Sequence, residues 1–309
     1  MGKITNSADV FRYGGLRLVA VFFAFLAAAC CMHWRSPAAA PNSSAESFAG
    51  QPLLLRAIEL ESRADGAEAL REAIQAYEEV LDMAPGNLEA LDKLGHLYLL
   101  LGDGYEMSRA KKKACFIKAI QCNERAMFYG NRDFQKRISA GARLWESLPA
   151  LTLNEMGAMH FWATGIFYYY KECLGFFGQI IHFRWIVRAR MVMERMSELD
   201  PDWGRGMLHF NWGCYYLAIP ESLGGDRKKA RASFARAIDL GPEFMIFRWG
   251  RAKYFHFKMR DAESFKEDLR WVAAQNIADF ADPYPWRVFF RKDAAFMLEN
   301  FDYYFHGRK

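Results

Sequence analysis

The stretch FRWGR, Phe247 to Arg251, puts Arg248 and Arg251 one turn apart if the segment is helical. Two guanidinium forks at that spacing can meet one carboxylate through paired hydrogen bonds, which would suit an organic-acid ligand. The plainer reading is two exposed arginines on a solvated helix face. Upstream, GMLHFNWGCYYLAIP aligns His209, Trp212 and Tyr216 at i, i+3 and i+7, opposite Met207, Phe210, Cys214 and Leu217. With Trp249, the side chains of Trp212, Tyr215 and Tyr216 would form a wall of apolar bodies with polar tips, fit to line a ligand cleft or meet a partner. The competing reading is a thick core that buries both faces.

No catalytic set can be assembled. The chain has no Gly-rich phosphate loop, no His-Glu-x-x-His and no nucleophile elbow. Cys173 and His182 are the nearest thing to a thiol–base pair, and their separation gives that pairing no support. His209 lacks a second ligand at i+3 or i+4, so it reads as a packing histidine and not as part of a metal site. The expectation is a protein that is not an enzyme and carries no cofactor.

The segments that must position these residues share a period. Ala73, Tyr77, Val80 and Pro85 recur at identical offsets as Ala189, Met193, Met196 and Pro201, and again as Ala230, Phe234, Ala237 and Pro242. A small residue lets two helices approach, the next two apolar positions fill the groove, and proline stops the helix. After Pro85, Leu91, Leu94, Gly95 and Tyr98 fit the opposing helix of the same hairpin. The fold class expected is all-α, a tetratricopeptide-like (TPR-like) α-solenoid of helical hairpins over residues 52–309. Pro201 to Pro242 is longer than a regular repeat. The excess lies where Pro220 ends one helix and Gly224-Gly225 turn the chain before Asp226 caps the next. The segment 156–170 is apolar on every side, as a central or cavity-lining helix would be.

The N-terminus speaks to compartment. Lys3, Arg12 and Arg17 precede a short apolar run from Leu18 to Ala29, the layout of a secretory signal. The run is well short of the roughly 20 residues of a spanning helix, although an uncleaved anchor stays open as an alternative. LAAAC resembles a bacterial lipobox, making Cys30 the expected acylation site and Cys31 the fallback. Residues 1–29 thus read as a signal peptide, and 30–51 as a lipidated cysteine with a flexible Ser/Ala/Pro/Gly tether. Loss of the first 29 residues takes the net charge from +5 to +3, too mild for a nucleic-acid partner. Lys111 to Lys113 read as a solvated helix face. Cys115, Cys122, Cys173 and Cys214 are expected as buried free thiols, with a Cys173–Cys214 bridge as an alternative.

The stretch from Met193 to Phe244 resembles the T-component family of tripartite ATP-independent periplasmic (TRAP) transporters. The resemblance rests on Pro201, Gly206, His209, Tyr215 or Tyr216, Pro220, Gly224, Gly225, Asp226, Lys229, Ala230, Phe234, Ala237 and Pro242. It extends loosely over roughly residues 65 to 305. It implies a periplasmic lipoprotein held to the cell envelope, able to oligomerise and to dock the transporter's solute-binding protein, with an internal passage or cleft for the solute. A general TPR-like envelope scaffold is the second reading that the repeats allow.

Overall fold

The computed structural model describes residues 51–306, so Cys30, Cys31, the signal and nearly all of the tether lie outside the described residues. The described chain is helical and has no strand. Helices α1 (Gln51–Ser62), α2 (Ala67–Met83), α3 (Leu88–Leu100), α4 (Arg109–Gly130) and α5 (Arg132–Ser139) lead to α6 (Met156–Tyr168), α7 (Phe176–Ile181) and α8 (Phe183–Leu199). There follow α9 (Met207–Ala218), α10 (Arg227–Leu240), α11 (Met245–Gly250), α12 (Ala262–Ala274), α13 (Tyr284–Glu299) and α14 (Phe301–His306). No described helix is long and apolar enough to cross a membrane.

The period seen in the sequence is a packing period. All nine apolar repeat residues, three each on α2, α8 and α10, are fully buried. Each of these helices stops two residues before its proline, which cannot donate the next backbone bond and restricts the residue before it. Leu91, Leu94, Gly95 and Tyr98 are buried on α3, which packs between α2 and α4. Further along, α9 pairs with α10 and α12 with α13, while α6 lies against α3, α4 and α8 at the centre. One apolar core runs from Leu54 to Phe305, and a smaller one joins Phe210, Leu217, Ala230, Phe234, Ala237, Phe247 and Phe255.

The succession of helices also closes. Helix α13 returns to pack on α1, Trp286 Nε1 donates to His96 Nδ1 at 3.3 Å, and Lys292 Nζ donates to the Asp65 carbonyl at 2.8 Å. In an open solenoid each repeat touches only its neighbours.

The connection into α9 is a left-handed turn through Gly204, Arg205 and Gly206, with φ of 62°, 51° and 106°. A Cβ on Gly206 would stand 2.7 Å from the Ala237 carbonyl oxygen, so both conformation and space demand glycine. Gly206→Ala is expected to cost about 2–4 kcal/mol in a urea melt, the sum of left-handed strain and a backbone clash. A loss under about 1 kcal/mol would show that the turn can relax. The longer connection after α9 turns at Gly224 (φ 100°) and Gly225, where a Cβ would meet the Ile219 carbonyl oxygen at 1.9 Å. Asp226 then caps α10 by accepting from the Lys228 and Lys229 amides at 2.9 and 3.0 Å.

Candidate partner and ligand surface

Helix α9 is wedged between α8 and α10 and shows three kinds of position. Leu208 and Tyr215 enter the main core, Phe210 and Leu217 the smaller one, and His209, Trp212 and Tyr216 form a half-buried stripe. His209 Nε2 donates to Asp202 Oδ1 at 2.8 Å, and Arg236 Nη2 reaches Asp202 Oδ2 at 3.2 Å. The bond from His209, joined by Arg236, holds the Asp202 carboxyl below its ordinary value. Trp212 Nε1 donates to Ser197 Oγ at 3.1 Å, and its ring stacks on Tyr216 with centroids 5.5 Å apart.

The remaining members of the expected wall are buried or bound to other partners. Trp249 is 0% exposed, packs on Phe289 and Phe290, and donates through Nε1 to Asp293 Oδ2 at 2.8 Å. Tyr215 meets Trp212 and Tyr216 edge-on at 5.6 and 5.7 Å but is buried behind them, toward Phe167. Arg248 and Arg251 do grip a carboxylate, but it belongs to the chain. Arg251 donates to Asp268 from Nε and Nη2, both at 2.7 Å, and Arg248 Nη1 donates at 3.3 Å. His256 Nε2 stands 3.5 Å from the same group. Of the six candidates, only His209, Trp212 and Tyr216 share a surface that a partner can reach.

Two polar sites had no sequence motif. Helices α3, α6 and α11 each run into a π-helical turn, at Leu101–Tyr105, Tyr169–Cys173 and Arg251–His256. The first and third of these turns are joined by Lys253, whose Nζ lies 3.4 Å from Asp293 Oδ2 on α13 and 3.9 Å from Asp103 Oδ2. Burial would lower the Lys253 pKa, yet the charges of Asp103 and Asp293 outweigh it and raise the value. The Tyr168 and Tyr254 hydroxyls meet at 3.3 Å, while the buried Asp103 Oδ2 accepts no hydrogen bond among the described residues.

The second site is an open cavity of about 380 Å³ between α2, α3 and α4, lined among others by Glu78, Asp82, Tyr98, Lys118 and Glu124. Burial pushes the Glu124 carboxyl up to about 8 from 4.5, and the bond from Trp162 Nε1 offsets this only in part. The folded chain therefore keeps a proton that the unfolded chain releases, and stability falls as pH rises from 4.5 towards 8. Glu124→Gln is expected to match the native stability near pH 4.5 and exceed it by roughly 2–4 kcal/mol at pH 8. Equal differences at both pH values in thermal melts would mean that Glu124 ionises freely in the fold.

Lys111 is exposed, but Lys112 pairs with Glu172 at 3.2 Å and Lys113 lies 5.9 Å from the Tyr169 ring, so the lysine run is only partly a solvated face. All four cysteines of the described residues are free thiols. Burial raises Cys122 and Cys214 to about 12 and Cys173 to about 11, which keeps them protonated and inert. Among the described residues no three His, Cys, Asp or Glu side chains are grouped to hold a metal ion.

A family model for the TRAP transporter T-component matches residues 103–305. The chain belongs to this family. No curated protein matches it. The T-component match starts inside the first π turn, later than the position near residue 65 that the sequence resemblance suggested. It takes in the left-handed turn, the half-buried stripe and the whole Lys253 junction. The cavity straddles its start, since Glu78, Asp82 and Tyr98 precede residue 103. Membership gives the chain an accessory role in a TRAP transporter.

Proposed function

We propose that this T-component is a non-enzymatic lipoprotein that docks the transporter's solute-binding protein at the outer face of a bacterial membrane. Export uses residues 1–29, and acylated Cys30, or failing that Cys31, anchors the chain in the periplasm through the 30–51 tether. The helical domain acts as a TPR-like stack of hairpins, single or as a homo-oligomer. The His209–Trp212–Tyr216 stripe is its docking face or the lip of a cleft that receives the solute. The family match over residues 103–305 carries this reading. The stripe supports it because aromatic groups left half-buried beside a filled core are the usual anchors of a partner surface.

A pull-down of the full chain from solubilised membranes tests the proposal. The native protein should recover a TRAP solute-binding protein, and the paired substitution Trp212→Ala and Tyr216→Ala should lower that recovery about tenfold or more. Mass spectrometry should find a mature chain beginning at lipidated Cys30. Recovery of unrelated envelope proteins alone would favour the general scaffold, which the threefold burial of the repeat residues also suits.

A further inference from the structure

Exposed large apolar side chains gather closely in sequence at the corner formed by α7 and the start of α8. Phe176 is 72% exposed, Phe177 73% and Ile180 59%, with Ile181, Val187 and Met191 also in the open. No residue of α7 is buried. Gln179 turns inward instead, its Nε2 donating to the Tyr170 and Leu174 carbonyls at 3.3 Å, which holds the corner in place while its apolar side chains stand out.

Its surroundings are positive. From Cys173 to Met193 the sequence holds Arg184, Arg188 and Arg190 and no acid. Arg109 reaches the corner as well, its Nε donating to the Cys173 carbonyl at 2.8 Å. Among the described residues, Arg109, Lys113, Arg184 and Arg188 have no carboxylate within ion-pair distance, although Glu172 nearby pairs with Lys112 and Lys171. The cations feel one another. Burial, then Arg184 and Arg143, lowers Arg188 to about 10, and burial, then Arg184 and Lys113, lowers His182.

We propose that this corner inserts into a bilayer surface, with Phe176, Phe177, Ile180 and Ile181 among the upper acyl chains and Arg109, Lys113 and Arg184 against anionic phospholipid headgroups. Protruding apolar side chains ringed by unpaired cations fit a surface that is apolar inside and negative outside. A two-fold contact centred on this corner would bring the Arg184 and Arg188 charges of two copies close together, which disfavours that arrangement. Such a contact fixes how the helical domain faces the membrane. It is independent of acylation.

The test is amide hydrogen exchange of the full chain mixed with phosphatidylcholine vesicles or with vesicles containing phosphatidylglycerol. Exchange over residues 174–191 should slow about fivefold or more with the anionic vesicles alone, and high salt should abolish the effect. Phe177→Ser and Arg184→Glu, both at exposed positions, should each remove the protection while exchange in α6 stays unchanged. Equal exchange with both kinds of vesicle overturns the proposal. So does protection that grows with protein concentration without vesicles, which indicates self-association, or protection that needs the solute-binding protein. The same readout applies whether or not Cys30 carries acyl chains, so loss of the anchor and loss of this contact are separable.

Discussion

Asp268→Ala is expected to destabilise the folded chain by about 3–5 kcal/mol, because it strands two arginines around an empty position. Asp268 is 1% exposed and accepts three hydrogen bonds, one from Arg248 and two from Arg251. Burial would raise its carboxyl, but the bonds from Arg251 and the nearby His256 outweigh burial and hold the value below the usual 3.8. A lowered folded value means that this contribution is present above pH ~4 and is lost as pH falls through the folded value. Asp268→Asn keeps the shape and removes the charge. It should lose a large part of the same stability at pH 7 and much less in strong acid. Urea melts at two pH values check this, and a pH-independent difference would show that shape, not charge, matters at the site.

Trp249→Ala should cost about as much, 3–5 kcal/mol on the scale of large-to-small core changes. The indole is packed by Phe289 and Phe290 and bonded to Asp293, so its removal opens a cavity beside the Lys253 junction. Trp249→Phe preserves most of the packing and should cost about 1–2 kcal/mol through the lost bond. If Trp249→Ala left the melting temperature unchanged while weakening capture of a partner, the indole would be a contact residue after all and its burial would be incidental.

The hairpin helices were legible because they obey rules local to a dozen residues. Small–apolar–apolar spacing and a stopping proline act within one helix and its neighbour, and the burial of Ala73, Tyr77 and Val80 with their counterparts follows from that spacing. The candidate wall fared differently, since periodicity assigns a residue to a face without saying what lies opposite. Trp249 and Trp212 look alike in sequence, yet one faces Phe290 and the other faces Ser197 and Tyr216. The partner of Arg251 did leave a signal. Asp268 falls between Phe265 and Leu269 on the apolar side of α12, where an acid needs a buried cation. The Lys253 junction left none, because Asp103, Lys253 and Asp293 come from three distant segments and only the closed arrangement of helices brings them together.

The return of α13 to α1 also bears on how the chain folds. Trp286 and His96 are separated by 190 residues, and Lys292 and Asp65 by 227. Hairpins such as α9 with α10 can form early from contacts close in sequence, whereas the seal between α13 and the N-terminal helices must await nearly the whole chain. Loss of that seal would uncover core on both sides of it, so melting should be cooperative from end to end and not unzip from one terminus as a linear array can.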